Sequence, residues 1–284
     1  MQGIVDGIVP FVKRWVRDWT VLSRRGDPLL MGAAIAFNSL FALVPLAIAF
    51  VAIVTLFERS KVFFEDLVEF LESTLPPDVA VFLGNILAQS LEIVSGKRSV
   101  ILAVSILVAL WSGSRAVYAI QKSLRLVQGT VDERGYVRIR ATGIVVTVAG
   151  GVAVMAAYLV MLIGGGVWRT VSDWLGLPGI GITQALAIAL ALAWVYLLLW
   201  VIYRYGPPEP VSFAWLTAAI VTAVLGLGTM IAVNLLPNVS SQAVAVFGSV
   251  GLALLWLYYI GVVVVAAPIG ILSFLSAWED SSQR

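Results

Sequence analysis

From Pro210 to Trp278 the chain carries no charged residue. A soluble domain does not leave so long a stretch unwetted, because a closed core still needs a polar shell. At about 1.5 Å of rise per residue, a single helix of that length would be about three times as long as the hydrocarbon layer is thick. The stretch must therefore cross a bilayer and turn back. Its best break is Pro237-Asn238, followed by the polar Ser240, Ser241 and Gln242, which divides it into spans of about 212–236 and 243–277. The second of these is long enough to require tilt or a start outside the membrane, and Pro268 should bend it near its end. The rest of the chain agrees: 61% of its residues are hydrophobic and 12% charged, against about 25% charged in soluble domains. These proportions exclude an ordinary cytosolic enzyme.

Four more uncharged or nearly uncharged runs precede this stretch. The first, 29–57, is entered through Gly26-Asp27-Pro28, where Asp27 can cap and Pro28 suits a first helical turn. The second, 99–121, lies between Arg98 and Lys122 and contains Arg115. The third, 141–167, ends at Gly164-Gly165-Gly166, and the fourth, 183–203, stops before Gly206-Pro207-Pro208. The expectation is an all-α integral membrane protein with six transmembrane helices occupying 29–278, followed by a short tail, 279–284. Lys13, Arg14, Arg17, Arg24 and Arg25 precede the first span, and Lys122, Arg125, Arg134, Arg138 and Arg140 join the second to the third. The opposite loops are poorer in cations, so the excess marks the cytoplasmic side and both termini lie inside, in a cytoplasmic membrane.

Two flanking regions have helical periodicity. In 1–28, Ile4, Ile8, Phe11, Val12, Trp15, Val16, Trp19 and Leu22 recur on one side, predicting an amphipathic helix at the cytoplasmic interface or packed against protein. The first extracytoplasmic loop, 58–98, reads as two short amphipathic helices either side of Pro76-Pro77, forming a cap. The first opposes Phe63, Phe64, Leu67, Phe70 and Leu71 to Glu65, Asp66, Glu69 and Glu72. The second is expected to be capped by Asp78. The acidic stripe reads either as a solvated face or as an attractor for cations.

Histidine and cysteine are both absent, which removes the usual thiol and imidazole chemistry and the usual ligands of zinc, iron–sulfur and haem sites. No P-loop, metal-binding or nucleophile–base motif is present, so no catalytic residue, metal or cofactor is expected and the chain is not read as an enzyme. The net charge of +2 gives no argument for a nucleic-acid partner. Arg115 is the one ionisable residue within the six runs. It either snorkels toward the headgroups or makes a structural contact, or it lines a cytoplasm-facing vestibule where its guanidinium would attract an anion or a carboxylate. Ser112, Gly113 and Ser114 beside it suit close packing or a polar lining. In the first span Asn38 is polar and Pro45 frees the carbonyl of Phe41, a device by which transporters expose backbone to a cavity; Pro268 does the same for Val264. Helix packing explains either proline equally well.

The first span, Ala33 to Leu46, with Phe37, Leu40-Phe41, Leu43 and Pro45-Leu46, resembles a signature of the YihY/BrkB family of bacterial inner-membrane proteins. Leu75-Pro76, the run Leu110-Trp111-Ser112-Gly113-Ser114-Arg115 and Leu255-Trp256-Leu257-Tyr258 resemble further motifs of that family. Ala42 stands where the family signature has Ser, and Phe247-Gly248 where it usually has Tyr-Gly. The resemblance implies a six-helix membrane protein described as transporter-like or virulence-associated and historically labelled ribonuclease BN. The ribonuclease label finds no nuclease metal site or histidine pair in this chain. Taken together, the residues lead to an expected transporter or channel-like exporter of a small polar or zwitterionic solute, lined by Arg115, Ser112, Ser114, Asn38 and Pro45. The alternative is a non-transporting scaffold or envelope factor whose external helices bind another protein. The partners expected are the lipid bilayer and such a solute, with the oligomeric state, including a homo-oligomer, left open.

Overall fold

The computed structural model of the chain describes residues 2–55, 64–65, 67–69, 71–72, 75–94, 98–131, 133–150, 152, 179–207, 209–235 and 240–282. Its long helices are α1 (Gln2–Gly26), α2 (Pro28–Val54), α3 (Pro77–Val94), α4 (Arg98–Gln128), α5 (Gly179–Tyr205), α6 (Ala214–Leu235) and α7 (Ser240–Ser282). Residues 136–150 are also helical, and the described residues include no strand. Five helices are long and apolar enough to cross a membrane, over Pro28–Ala52, Ala103–Gln128, Ile188–Tyr205, Ala214–Asn234 and Val250–Asp280. They match five of the six expected runs. The remaining run, 141–167, begins in the helical segment 136–150 and otherwise lies outside the described residues.

The helix boundaries follow local chemistry. Asp27 adopts φ 38° between α1 and α2, and its Oδ1 accepts the Leu30 N–H at 3.1 Å, so this acid caps α2 as expected while Pro28 opens its first turn. At the end of α5, the Gly206 N–H closes on the Ile202 carbonyl at 2.9 Å, and the chain returns so that the Val211 N–H reaches the Tyr203 carbonyl at 3.0 Å. The length of the last span is resolved by Gly248, whose φ of 66° and ψ of 167° interrupt α7. Only glycine adopts that conformation at little cost, so the first turns of α7 form a separate piece. Asp78 does not cap α3. The helix starts at Pro77, and the Pro76 carbonyl receives the Val79 and Ala80 N–H groups at 2.9 and 3.0 Å, placing Asp78 inside the first turn.

Packing centres on α2, which lies against α4 on one side and α7 on the other, with α3 over its far end. The α2–α7 crossing is backbone to backbone. A methyl group on Gly261 would stand 2.6 Å from the Gly32 carbonyl oxygen, and one on Gly32 would stand 2.9 Å from the Val262 nitrogen, a closeness that small residues permit in membranes where no water drives association. The main core gathers Ile35, Ile120, Leu124, Tyr203, Val221, Val265 and Ile269 from α2, α4, α5, α6 and α7. A second cluster joins Val51, Ala52 and Val54 of α2 to Phe64 and Leu87, seating α3 over that end of α2. Helix α1 packs on the end of α7: Phe11 meets Phe274 and Trp278 edge-on, and the Trp15 Nε1–H donates to Ser273 Oγ at 3.1 Å.

The cation-rich ends meet at one end of the bundle. Ser123 Oγ donates to the Gly26 carbonyl at 3.0 Å, Gln128 Nε2 to the Glu209 carbonyl at 3.1 Å, and Arg134 Nη2 to the Gly206 carbonyl at 3.0 Å. Gly261→Ala should overpack the α2–α7 crossing and lower stability by about 1–3 kcal/mol. Gly84→Ala, with nothing within 4 Å of the added methyl, should be neutral or stabilising. Unfolding midpoints in matched detergent micelles check the pair.

Candidate functional site

The five residues expected to line a route lie on two neighbouring helices, Asn38 and Pro45 on α2 and Ser112, Ser114 and Arg115 on α4. Arg115 is exposed on the flank of α4, on one ridge with Trp111, Tyr118 and Lys122. Ser112 and Ser114, on either flank of that ridge, are buried. Asn38 is half-buried, and its Nδ2 donates to the Ala34 carbonyl of its own helix at 2.7 Å, while Pro45 is buried in the packing of α2. None of the five lines either of the two hollows described below. The carbonyl freed by Pro268 is also closed off: Tyr203, fully buried, donates its hydroxyl to Val264 O at 2.7 Å.

The Trp111-Ser112-Gly113-Ser114-Arg115 run instead seats the helical segment 136–150. Thr147 Cγ2 sits 2.5 Å from where a Gly113 Cβ would be, and a Cβ on Gly143 would meet the Ser114 carbonyl at 3.1 Å. Over this contact stands Arg140. Its guanidinium lies 5.2, 5.4 and 5.5 Å from the ring centres of Trp111, Tyr118 and Tyr136, donates from Nε to the Tyr136 hydroxyl at 3.1 Å, and reaches Ser114 Oγ at 3.4 Å. Three aromatic faces around one cation supply the electrostatic attraction that a displaced hydration shell would otherwise give. In the sequence Arg140 figured only among the topological cations. The four-residue spacing from Tyr136 was a visible signal, whereas the convergence with Trp111 and Tyr118 was not.

The more distinctive hollow is a partly open recess of about 360 Å³ between the start of α3, α6 and α7. Gly228 and Tyr259 form part of its wall, and Tyr259 donates its hydroxyl to Val224 O at 2.8 Å across the gap between α7 and α6. Ile231 and Leu255, which also line it, are 56% and 61% exposed. Large apolar side chains so exposed on spanning helices face acyl chains, so the recess opens to the side of the bundle rather than along its axis. Two polar groups interrupt its apolar lining. Asp78 Oδ2 and Trp256 Nε1 are both buried, and neither has a hydrogen-bond partner among the described residues. Each such orphan costs on the order of 1–3 kcal/mol relative to a satisfied group. Trp256 belongs to the Leu255-Trp256-Leu257-Tyr258 run, but its place in a recess depends on α3 crossing α7, which no local pattern discloses.

The second hollow, about 440 Å³ beside Phe64, Glu65, Val68, Glu69 and Glu72, lies along the acidic stripe of the cap. Among the described residues no group of three histidine, cysteine or acidic side chains is placed to hold a metal ion.

These features define a multi-pass helical membrane protein with a recess on its flank. The model of the virulence factor BrkB family matches residues 23–267, and the chain belongs to that family. A relative in Bacillus subtilis (strain 168), named as a ribonuclease-like protein, YfkH, is 24% identical over 243 residues, covering 82% of this chain and 85% of its own length. No solved structure matches the chain.

Replacing Arg140 by Gln should loosen the seat of segment 136–150 and reduce stability by about 0.5–2 kcal/mol, whereas Arg115→Gln, on the exposed flank, should change it by less than about 0.5 kcal/mol. Thermal melting of the two purified variants beside the parent chain separates these outcomes.

Proposed function

We propose that the protein is a non-enzymatic transporter of the cytoplasmic membrane, and that its solute is an amphiphile with a zwitterionic headgroup carried along the flank of the bundle. The carrying observation is the side-opening recess, apolar except for a buried acceptor at Asp78 and a buried donor at Trp256. An axial path for a small polar solute lacks comparable support, because Asn38 bonds its own helix and Arg115 points away from the core. Ligand pockets characteristically combine apolar walls with a few placed polar groups, and a membrane-embedded opening admits molecules already dissolved in the bilayer. The ribonuclease-like name of the relative adds no chemistry to this reading, since recognition in the recess needs neither a metal nor a base. The scaffold alternative draws on the exposed acids Glu65, Glu69 and Glu72 beside the cap hollow, and it gains if no amphiphile moves.

Purified protein in proteoliposomes should accelerate leaflet exchange of an acyl-labelled phospholipid, read by chemical quenching of the outer leaflet. Ala232→Trp, which fills the recess, should slow exchange by roughly tenfold, while Arg115→Ala and Asn38→Ala leave it unchanged. Flux sensitive to Arg115 and Asn38 but not to Ala232 would restore the axial route.

The orientation proposed here has both termini in the cytoplasm and α3 outside, from the Lys/Arg excess at the end where Gly26, Ser123 and Arg134 meet. Because the chain has no cysteine, single introduced thiols report without background. Gln89→Cys should react with an impermeant maleimide in intact spheroplasts, and Glu133→Cys only after permeabilisation.

A further inference from the structure

We propose that the recess between α3, α6 and α7 is a headgroup site for a phospholipid ending in a primary ammonium, of the phosphatidylethanolamine type. The inference rests on the transport reading above and names the class of lipid that the site takes. Its basis is the polarity of the two orphaned groups. As a carboxylate oxygen Asp78 Oδ2 accepts hydrogen bonds, and Trp256 Nε1–H donates one. Although both residues line one recess, they do not bond each other. A ligand that satisfies both must present an N–H donor and an anionic acceptor a few bonds apart, which an ammonium and a phosphodiester do together.

The alternatives fit less of the site. A quaternary ammonium has no N–H to give to the buried carboxylate oxygen. A headgroup that is anionic without a cation meets the Asp78 carboxylate as a like charge. A small water-soluble zwitterion would match the polar pair but leave the apolar walls at Ile231, Leu252 and Leu255 without a partner. A diacyl tail fills that role, since the exposed Ile231 and Leu255 lead from the recess onto the lipid-facing surface of α6 and α7. Position agrees as well. Asp78 sits in the first turn of α3, where the cap meets the outer ends of the spans, and Gly228 and Tyr259 lie deeper along α6 and α7. The ammonium therefore lies toward the interface and the tails toward the bilayer centre, the natural direction of a lipid in that leaflet. Occupation involves no covalent step; the ammonium donates to the carboxylate, and the indole donates to a phosphate oxygen.

The full chain, purified in detergent, is titrated with phosphatidylethanolamine, phosphatidylcholine and phosphatidylglycerol of identical acyl chains, and binding is read by native mass spectrometry. Phosphatidylethanolamine should bind roughly tenfold more tightly than the other two. Asp78→Asn and Trp256→Phe should each remove that preference, Asp78→Glu should retain it, and free phosphoethanolamine should fail to compete. Unchanged thermal melting of the variants establishes that they fold, and Asp78→Glu tests the carboxylate even if Asp78→Asn does not fold. Equal binding of the three lipids, or a preference indifferent to both Asp78→Asn and Trp256→Phe, overturns the proposal. Competition by phosphoethanolamine overturns the lipid occupant in favour of a small zwitterion. If the preference is absent while Ala232→Trp still slows leaflet exchange, the headgroup assignment fails and the transport reading stands. If the preference is present without any exchange, the site is upheld and the transport reading fails.

Discussion

A carbonyl without a donor is costly inside a bilayer, where no water can replace the lost hydrogen bond, and this bundle is tied together by the side chains that remove that cost. Pro268 deprives Val264 of its helical donor, and Tyr203 of α5 supplies a hydroxyl at 2.7 Å. The Gly26 carbonyl at the close of α1 receives Ser123 of α4, and the Gly206 carbonyl beyond α5 receives Arg134. The Glu209 carbonyl receives Gln128. Each bond answers a local need of one helix with a residue from elsewhere in the chain, so the breaks in the helices become the joints between them. Together with the Gly32–Gly261 contact, these bonds hold α2, α4, α5 and α7 in one register.

Several polar side chains of the helices are spent on backbone carbonyls of their own helix. The polar groups near the crossing of α2 and α4 are consumed by packing: Asn38 bonds Ala34, Ser114 Oγ donates to Trp111 O at 2.8 Å, and Thr147 Oγ1 donates to Gly143 O at 2.8 Å. The recess beside α3 takes its walls from three elements, and exposed Ile231 and Leu255 at its edge open it to the side of the bundle. Recognition displaced to the flank suits a solute that already resides in the membrane.

The spans were legible in the sequence because they depend on one local quantity, the length of uncharged apolar runs between cations; α2, α4, α5, α6 and most of α7 fall close to the expected bounds. The Asp27 cap was legible for the same reason, since a cap is decided within four residues. Asp78 carries the same residue type at a helix start but sits two positions too far inside, because the helix begins at Pro77 and Pro76 takes the cap position. Arg115 was singled out because a cation in an apolar run is conspicuous, yet its exposure on the flank is set by which face of α4 meets α2, a rotation that a uniformly apolar helix does not encode. Tyr203, Arg140 and Trp256 owe their environments to helices 61, 22–29 and 178 residues away in sequence, and no periodicity reports such pairings.

The orphaned polar groups of the structure fall into two kinds, and the difference separates binding from packing. Gln121 is 1% exposed and has neither amide atom bonded among the described residues, but it stands in the solid part of the bundle, its Cγ 3.4 Å from where a Gly206 Cβ would be. Neither hollow reaches it, so only a guest as small as water could satisfy it there. Asp78 and Trp256 are orphaned beside 360 Å³ of free space, enough for a headgroup and the start of its chains. Their opposite hydrogen-bonding sense also distinguishes them: one recess is lined by a residue with an unpartnered carboxylate oxygen and by another with an unpartnered indole N–H, the pair on which the proposed headgroup site rests. A membrane protein gains nothing in stability from leaving such a pair unmet, and the cost is recovered only when a ligand meets both.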